Sequence, residues 1–282
     1  MKNRDLEPIQ NLGGDRHSSH PLPSRFLPRS PQAAGYPRPT PSTRRHSTCL
    51  HPRRLAPKGP HLEDVIRGLL AEEKDLPPTN VINLGLSGEF IRRLLDSGRY
   101  EKAVSKLPGI DYVLIRYGLN DNAYRENLLE NFPKDYHELI GRLKTDHPQA
   151  TIIVTTVIPY GDEATSAKLN KLNEAVAKAE GVPLFDLYPR YAEELKRGPD
   201  MLNYRRFPLE KIPENRREFV KPFVLPGAKP TVEVLDNCLD AHFGQLPGWF
   251  GDRHPNLAGY HVIGDETAKF LVPLMRSNLT AK

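Results

Sequence analysis

Three short apolar runs, "DYVLIRYG" (111–118), "TIIVTTV" (151–157) and "VPLFD" (182–186), are separated by stretches whose apolar residues recur at helical spacing. Tyr136, Leu139, Ile140 and Leu143 form one stripe, closed by Pro148. Leu169, Leu172, Val176 and Ala179 form the next, with Gly181 placed to cap its end. An earlier run, "NVINLG", predicts a strand over 79–84, followed by a helical stripe of Phe90, Ile91, Leu94 and Leu95. Helical spacing also marks Leu62, Val65, Ile66, Leu69 and Leu70, ending at Pro77-Pro78, and a last helix from about Asn256 to Met275. Strands that are apolar throughout, alternating with amphipathic helices, imply a mostly parallel sheet covered on both faces and joined by right-handed crossovers. The expected class is α/β, a three-layer α/β/α architecture. In such sheets ligands bind beyond the C-terminal ends of the strands, which directs attention to "GLSGEF", "GLND" and "FDLYPR".

Charge divides the chain into two parts. Residues 1–60 carry 11 Lys and Arg against 3 Asp and Glu, while the remaining residues carry 29 against 32. The first sixty also hold 11 of the 28 prolines and show neither helical nor strand periodicity. The expectation is a basic Pro/Arg-rich tail, disordered or not native fold-forming sequence. The shift at residue 61 is of the kind that a misread frame of a GC-rich gene produces. A nucleic-acid arm is the competing reading, but the tail interleaves only Phe26 and Tyr36 among its charges and belongs to no binding fold. No nucleic-acid partner is expected. No run of eighteen apolar residues predicts a membrane span, and no apolar leader is visible, so the default location is cytoplasmic unless an export signal belonged to the true N-terminus. Cys49 and Cys238 are too few and too far apart for a disulfide framework.

From His61 onward the chain resembles the SGNH hydrolases, also called GDSL-like esterases, through three blocks in order: "NLGLSGEF", "YGLND" and "DRHPN". The resemblance implies a serine esterase or acylhydrolase that cleaves or transfers acyl groups, with an acetylated carbohydrate or another small-molecule ester as substrate. It implies no metal and no organic cofactor, and it leaves the oligomeric state open. It places Gly88 and Asn120 in the oxyanion hole, where glycine lets a backbone N–H approach closely and asparagine adds an amide donor. It makes His254 the general base. Asp252 then orients the imidazole, because residues two apart in an extended segment point to the same side. The commoner family spacing puts that aspartate three residues before the histidine, where this chain has Gly251; a branch that includes alginate acetyltransferase-like proteins uses the Asp-x-His form.

The same residues have plainer readings. "GLND" also suits a tight turn, and Asn256 suits a helix N-cap. Asp240, His242, Asp252 and His254 contain metal-ligand types without fixed spacing. Trp249 and Phe250 read first as core and second as a stacking platform. The family's first block, a strand ending in Gly-Asp-Ser, is not found. Gly14-Asp15 is followed by Arg16, Ser47 has no strand before it, and Ser87 lacks the flanking pattern of a nucleophile elbow. The nucleophile is therefore unassigned, and a catalytically dead binding module is the alternative function. By the resemblance, the strand order is 2-1-3-4-5 and the missing strand lies between 79–84 and 111–116, so its loss leaves two facing edges. A charged, proline-containing insertion at about 197–250 is expected to cap the site of the 61–282 domain.

Overall fold

The computed structural model describes residues 61–198 and 200–280. The expectations that rest on residues 1–60, Ser47 and Cys49 among them, lie outside the described residues. In chain order the main elements are α1 (Leu62–Glu72), α2 (Ile91–Asp96), β1 (Tyr112–Ile115), α3 (Leu119–Tyr124), α4 (Leu128–Asp146), β2 (Thr151–Thr155), α5 (Glu163–Glu180), β3 (Leu184–Phe185) and α6 (Tyr188–Arg197). They are followed by β4 (Arg205–Pro208), α7 (Arg217–Val220), β5 (Val224–Leu225), β6 (Thr231–Val234), α8 (Asp240–Phe243) and α9 (Leu257–Thr280).

The three apolar runs 111–118, 151–157 and 182–186 become parallel strands in the order β1-β2-β3, with Tyr112 opposite Thr151 and Val154 opposite Leu184. Side chains alternate across the sheet. Ile115, Ile152 and Val154 therefore pack on one face with Leu94, Tyr136, Leu139 and Leu169 from α2, α4 and α5. Ile153 and Phe185 pack on the other with Ile66, Leu70, Tyr191, Ile263 and Leu271 from α1, α6 and α9. Ile153, Tyr136, Ile140 and Leu169 are fully buried, each such side chain contributing roughly 1.5–3 kcal/mol of transfer free energy. The result is the α/β/α sandwich that the alternation predicts.

Residues 79–84 depart from the expectation, for they form no strand. A strand is defined by its ladder, and among the described residues no neighbouring strand lies beside the segment to supply one. Side chains hold it instead: Arg67 donates to Val81 O at 2.9 Å, Arg99 donates to Leu84 O, and Asn83 Nδ2 donates to Glu63 at 3.1 Å. Between this segment and β1 lies a cavity of about 640 Å³, walled by Asn80–Gly85 on one side and Tyr112–Tyr117 on the other. Ile82 and Leu114, 51% and 37% exposed, keep apolar surface open beside it. Among the described residues, no strand occupies the place that the resemblance gives to its first strand.

The expected insertion contains its own small antiparallel sheet, in the order β4-β6-β5. A separate core of Phe207, Ile212, Val220, Val232, Leu239, Phe243 and Trp249 covers it. Trp249 is fully buried and donates to Asp240 Oδ1 at 2.7 Å, the core role preferred from sequence. Asp240 also receives Arg205 at 2.7 Å, so a cation already occupies this carboxylate. No group of three or more His, Cys, Asp or Glu among the described residues is arranged to hold a metal ion, and no helix among them is long and apolar enough to cross a membrane.

Candidate active site

The first sequence block forms a turn just before α2. Gly88 has φ 74°, a left-handed conformation that side chains other than glycine rarely adopt. Its N–H has no acceptor among the described residues, whereas Glu89 N donates back to Leu86 O at 3.1 Å. The Glu89 carboxylate is buried and accepts from Arg99 and from the Tyr117 hydroxyl, each at 2.9 Å. The Tyr117 bond ties the turn to the segment after β1, and the Arg99 bond ties it to the segment after α2.

The second block is both a turn and a link. Gly118 sits at φ 136°, where a Cβ would meet Val157 Cγ1 at 3.3 Å. Asp121 is fully buried and accepts from Gly118 N and Ile91 N, both at 3.0 Å, joining the start of α3 to the start of α2. Burial pushes its pKa up to about 6 and the nearby Asp135 charge adds to this, against the lowering effect of those two backbone donors. Asn120, beside it, donates one amide hydrogen to Glu89 O at 3.0 Å. The first two blocks are therefore in direct contact, with the Asn120 amide one residue from Gly88.

The third block is held by an antiparallel zipper along the start of the insertion. Tyr204 N donates to His254 O at 2.7 Å, Asn256 N donates to Leu202 O at 2.8 Å, and Asn203 bridges Pro255. Asn256 is the N-cap of α9, its Oδ1 accepting from Gly259 N at 3.0 Å while its amide donates to Met201 O at 2.7 Å. The plainer reading of "HPN" as a helix start therefore holds. His254 Nδ1 lies 2.5 Å from Asp252 Oδ1, which also accepts from His254 N at 2.8 Å. The Asp252 side chain is 9% exposed and that of His254 is 48% exposed, so the carboxylate is sheltered and the imidazole open. Burial pulls the Asp252 pKa upward, but the His254 hydrogen bonds and the His254 and Arg206 charges together hold it below the ordinary carboxylate value. With Nδ1 committed to Asp252, Nε2 is the nitrogen left to exchange a proton; it makes no hydrogen bond among the described residues.

Gly88, Asn120 and His254 all line the cavity described above, with Ser87 and Tyr160 on its wall. Ser87 is exposed and forms no hydrogen bond with His254. Two neighbours of the His254–Asp252 pair escape the sequence reading. Tyr160 packs its ring edge-to-face on the His254 ring, centroids 5.4 Å apart. It follows the run "TIIVTTV", so inspecting the loop after that strand as well as the other three would have found it. Arg206, from β4, places Nε 3.5 Å from both Asp252 Oδ2 and Glu233 Oε1 and lies over the Tyr204 ring at 5.1 Å. No local pattern announces it, because the contact depends on how the insertion folds back. His242 is turned elsewhere, edge-to-face against Phe219 at 5.0 Å.

Comparison with known proteins gives one family. The model described as "GDSL-like Lipase/Acylhydrolase family" matches residues 56–262. No curated protein matches the chain. Similar solved structures include a lipase/acylhydrolase from Enterococcus faecalis, 19% identical over 76% of this chain and 85% of that one, with TM-score 0.43. An acetylxylan esterase from Geobacillus stearothermophilus is 18% identical over 74% and 79%, with TM-score 0.47. An alpha/beta hydrolase from the metagenome of Lake Arreo, Spain, is 21% identical over 74% and 80%, with TM-score 0.46.

Proposed function

This chain belongs to the GDSL-like lipase/acylhydrolase family, and from that premise we propose that its cavity is an acyl-ester hydrolysis site worked by His254, Asp252, Gly88 and Asn120. The observation that carries the reading is the shared cavity: the His254 imidazole, Gly88 with an N–H that has no acceptor among the described residues, and the Asn120 amide, apart in sequence, line one space. In the proposed reaction the Gly88 N–H and the second Asn120 amide hydrogen receive the oxygen of the ester carbonyl as it becomes negative. His254 Nε2 takes the proton of the attacking hydroxyl and returns it to the leaving alcohol. Asp252 balances the imidazolium charge and keeps the Nδ1–H tautomer in place. An acetylated carbohydrate is the finer reading of the substrate, and transfer to an alcohol in place of water uses the same four groups.

A second reading, a binding module with this cavity and no hydrolysis, is favoured by one observation: no serine hydroxyl among the described residues hydrogen-bonds to His254. A fluorophosphonate probe separates the two, since it labels a serine only where a base activates it and an oxyanion hole receives the phosphoryl oxygen. Esterase function predicts one labelled serine, located by peptide mass spectrometry, with labelling lost in His254→Ala. No labelling, together with no hydrolysis of p-nitrophenyl acetate, contradicts it and leaves the binding module.

A further inference from the structure

The small sheet of the insertion puts its two faces to different uses. β4 and β6 pair with Arg205 opposite Val234, Arg206 opposite Glu233 and Phe207 opposite Val232. Neighbouring side chains on a strand point to opposite faces. Phe207, Val232 and Val234 therefore enter the core around Trp249, and Arg206 and Glu233 share the other face. Tyr204, two residues before Arg206, joins them: its hydroxyl donates to Glu233 Oε2, and the Arg206 guanidinium lies over its ring at 5.1 Å. This polar face meets the third sequence block, because Tyr204 N donates to His254 O at 2.7 Å. Arg206 Nε consequently lies 3.5 Å from Glu233 Oε1 and 3.5 Å from Asp252 Oδ2, while Asp252 Oδ1 accepts both bonds from His254.

Two sheltered carboxylates thus face one guanidinium, the side chains of Glu233 and Asp252 being 12% and 9% exposed. With no cation between them, carboxylates so close do not both stay ionised, and one holds a proton. A proton on Asp252 would leave His254 Nδ1 without its counter-charge and its fixed tautomer. Arg206 Nε is buried and makes no hydrogen bond among the described residues, so it acts as a charge set between two acids and not as a donor fixed to one. The remaining groups near the pair are phenols and a cation with its own partner: Tyr160 from the loop after β2, Tyr260 from α9, and Arg253, which faces Asp200 at 3.6 Å. Burial raises the Asp252 pKa, and the Arg206 charge is among the influences that bring it below the ordinary carboxylate value. We infer that Arg206 is a positioning residue for the reaction proposed above: braced by Glu233 and the Tyr204 ring, it keeps Asp252 as the carboxylate that His254 needs, so that the insertion supplies a working part of the catalytic pair. The role in a reaction rests on the esterase reading; the coupling of Arg206 to the pair does not.

The test reads the pair with and without turnover. In the full chain, the pH titration of the His254 imidazole is followed by NMR, its resonance identified by its loss in His254→Ala, and the acidic limb of kcat/KM for p-nitrophenyl acetate is measured beside it. Arg206→Gln moves both toward higher pH by about half a unit or more, the size expected when one charge is removed beside a partly exposed pair. Glu233→Gln, which leaves the guanidinium to Asp252 alone, moves both toward lower pH. Arg206→Lys keeps the charge and stays close to the parent. A merely structural role lowers the melting temperature and the rate without producing shifts of opposite sign. Midpoints that do not move, that move the same way in Arg206→Gln and Glu233→Gln, or that move as far in Arg206→Lys as in Arg206→Gln overturn the inference. Should Arg206→Gln fail to fold by thermal melting, the downward shift in Glu233→Gln decides, its presence supporting the inference and its absence overturning it. Opposite shifts of the imidazole titration with no hydrolysis of the ester support the coupling and contradict the esterase reading.

Discussion

At the scale of single residues, the site is built from groups whose neighbours set their charge. The imidazole, its backbone N–H and Arg206 hold the Asp252 pKa below the ordinary carboxylate value, whereas Asp121, next to Asn120 in the chain, is driven the other way by burial. The sign follows directly. A carboxyl whose folded pKa is raised from 3.8 to about 6 binds its proton more tightly when folded, so its contribution to stability grows as pH falls from about 6 toward 4. Asp121→Asn removes that titration. The stability of the parent relative to the variant, from urea unfolding, therefore rises between pH 7 and pH 4 by up to roughly 3 kcal/mol; a difference that stays flat across this window contradicts the burial argument. At this scale the sequence was informative where short blocks stand at a strand end or a helix start: Gly88, Asn120 and His254, singled out through the family resemblance, line one cavity, and Asp252 meets His254. Arg206 could not be singled out, since its meaning comes from what packs against it and not from adjacent letters, and Tyr160 was passed over with the loop after β2.

Among the elements, α5 was the most legible. Asp162 caps its start by accepting from Thr165 N at 2.7 Å, and Gly181 ends it at φ 64°, as the glycine after the apolar stripe predicts. Residues 79–84 were misread because an apolar run reports burial, whereas a strand also needs a partner. α6 was not foreseen, although Tyr188, Tyr191, Ala192 and Leu195 recur along it at helical spacing; the sequence reading passed over this stripe, of which Tyr191 is the fully buried residue. The contact of α1 with α9 supplies a direct test of packing. At Gly264 in α9 an added Cβ would lie 2.6 Å from Val65 Cγ1, while at Gly68 in α1 it would meet nothing within 4 Å. Gly264→Ala is expected to lower unfolding free energy by about 1–3 kcal/mol through overpacking. Gly68→Ala is expected to raise it by about 0.5–1 kcal/mol, because alanine loses less backbone entropy in a helix interior. Chemical denaturation of the two variants checks both signs, and the same sign for both would mean that α1 and α9 do not approach as described.

For the described domain as a whole, the decisive feature is that among the described residues a cavity, not a strand, lies along the edge of β1 away from β2, and that the three sequence blocks converge on its wall. The parallel sheet brings the first two together through Glu89, Asn120 and Asp121. The insertion brings the third, through the pairing of residues 202–204 with 254–256, and then extends Arg206 to Asp252. Layer order was readable from the alternation of strands and helices. The small sheet of the insertion was not, for β5 and β6 are short and flanked by proline and charge, and only their shared core with Trp249 makes them a unit. In the proposed function, His254 acts on whatever occupies the cavity. The measurement that tests this most directly is kcat/KM for p-nitrophenyl acetate in the parent and in His254→Ala, both shown to be folded by thermal melting. The account predicts measurable turnover in the parent and a loss of about 10³-fold or more in the variant; turnover that survives His254→Ala unchanged would contradict it.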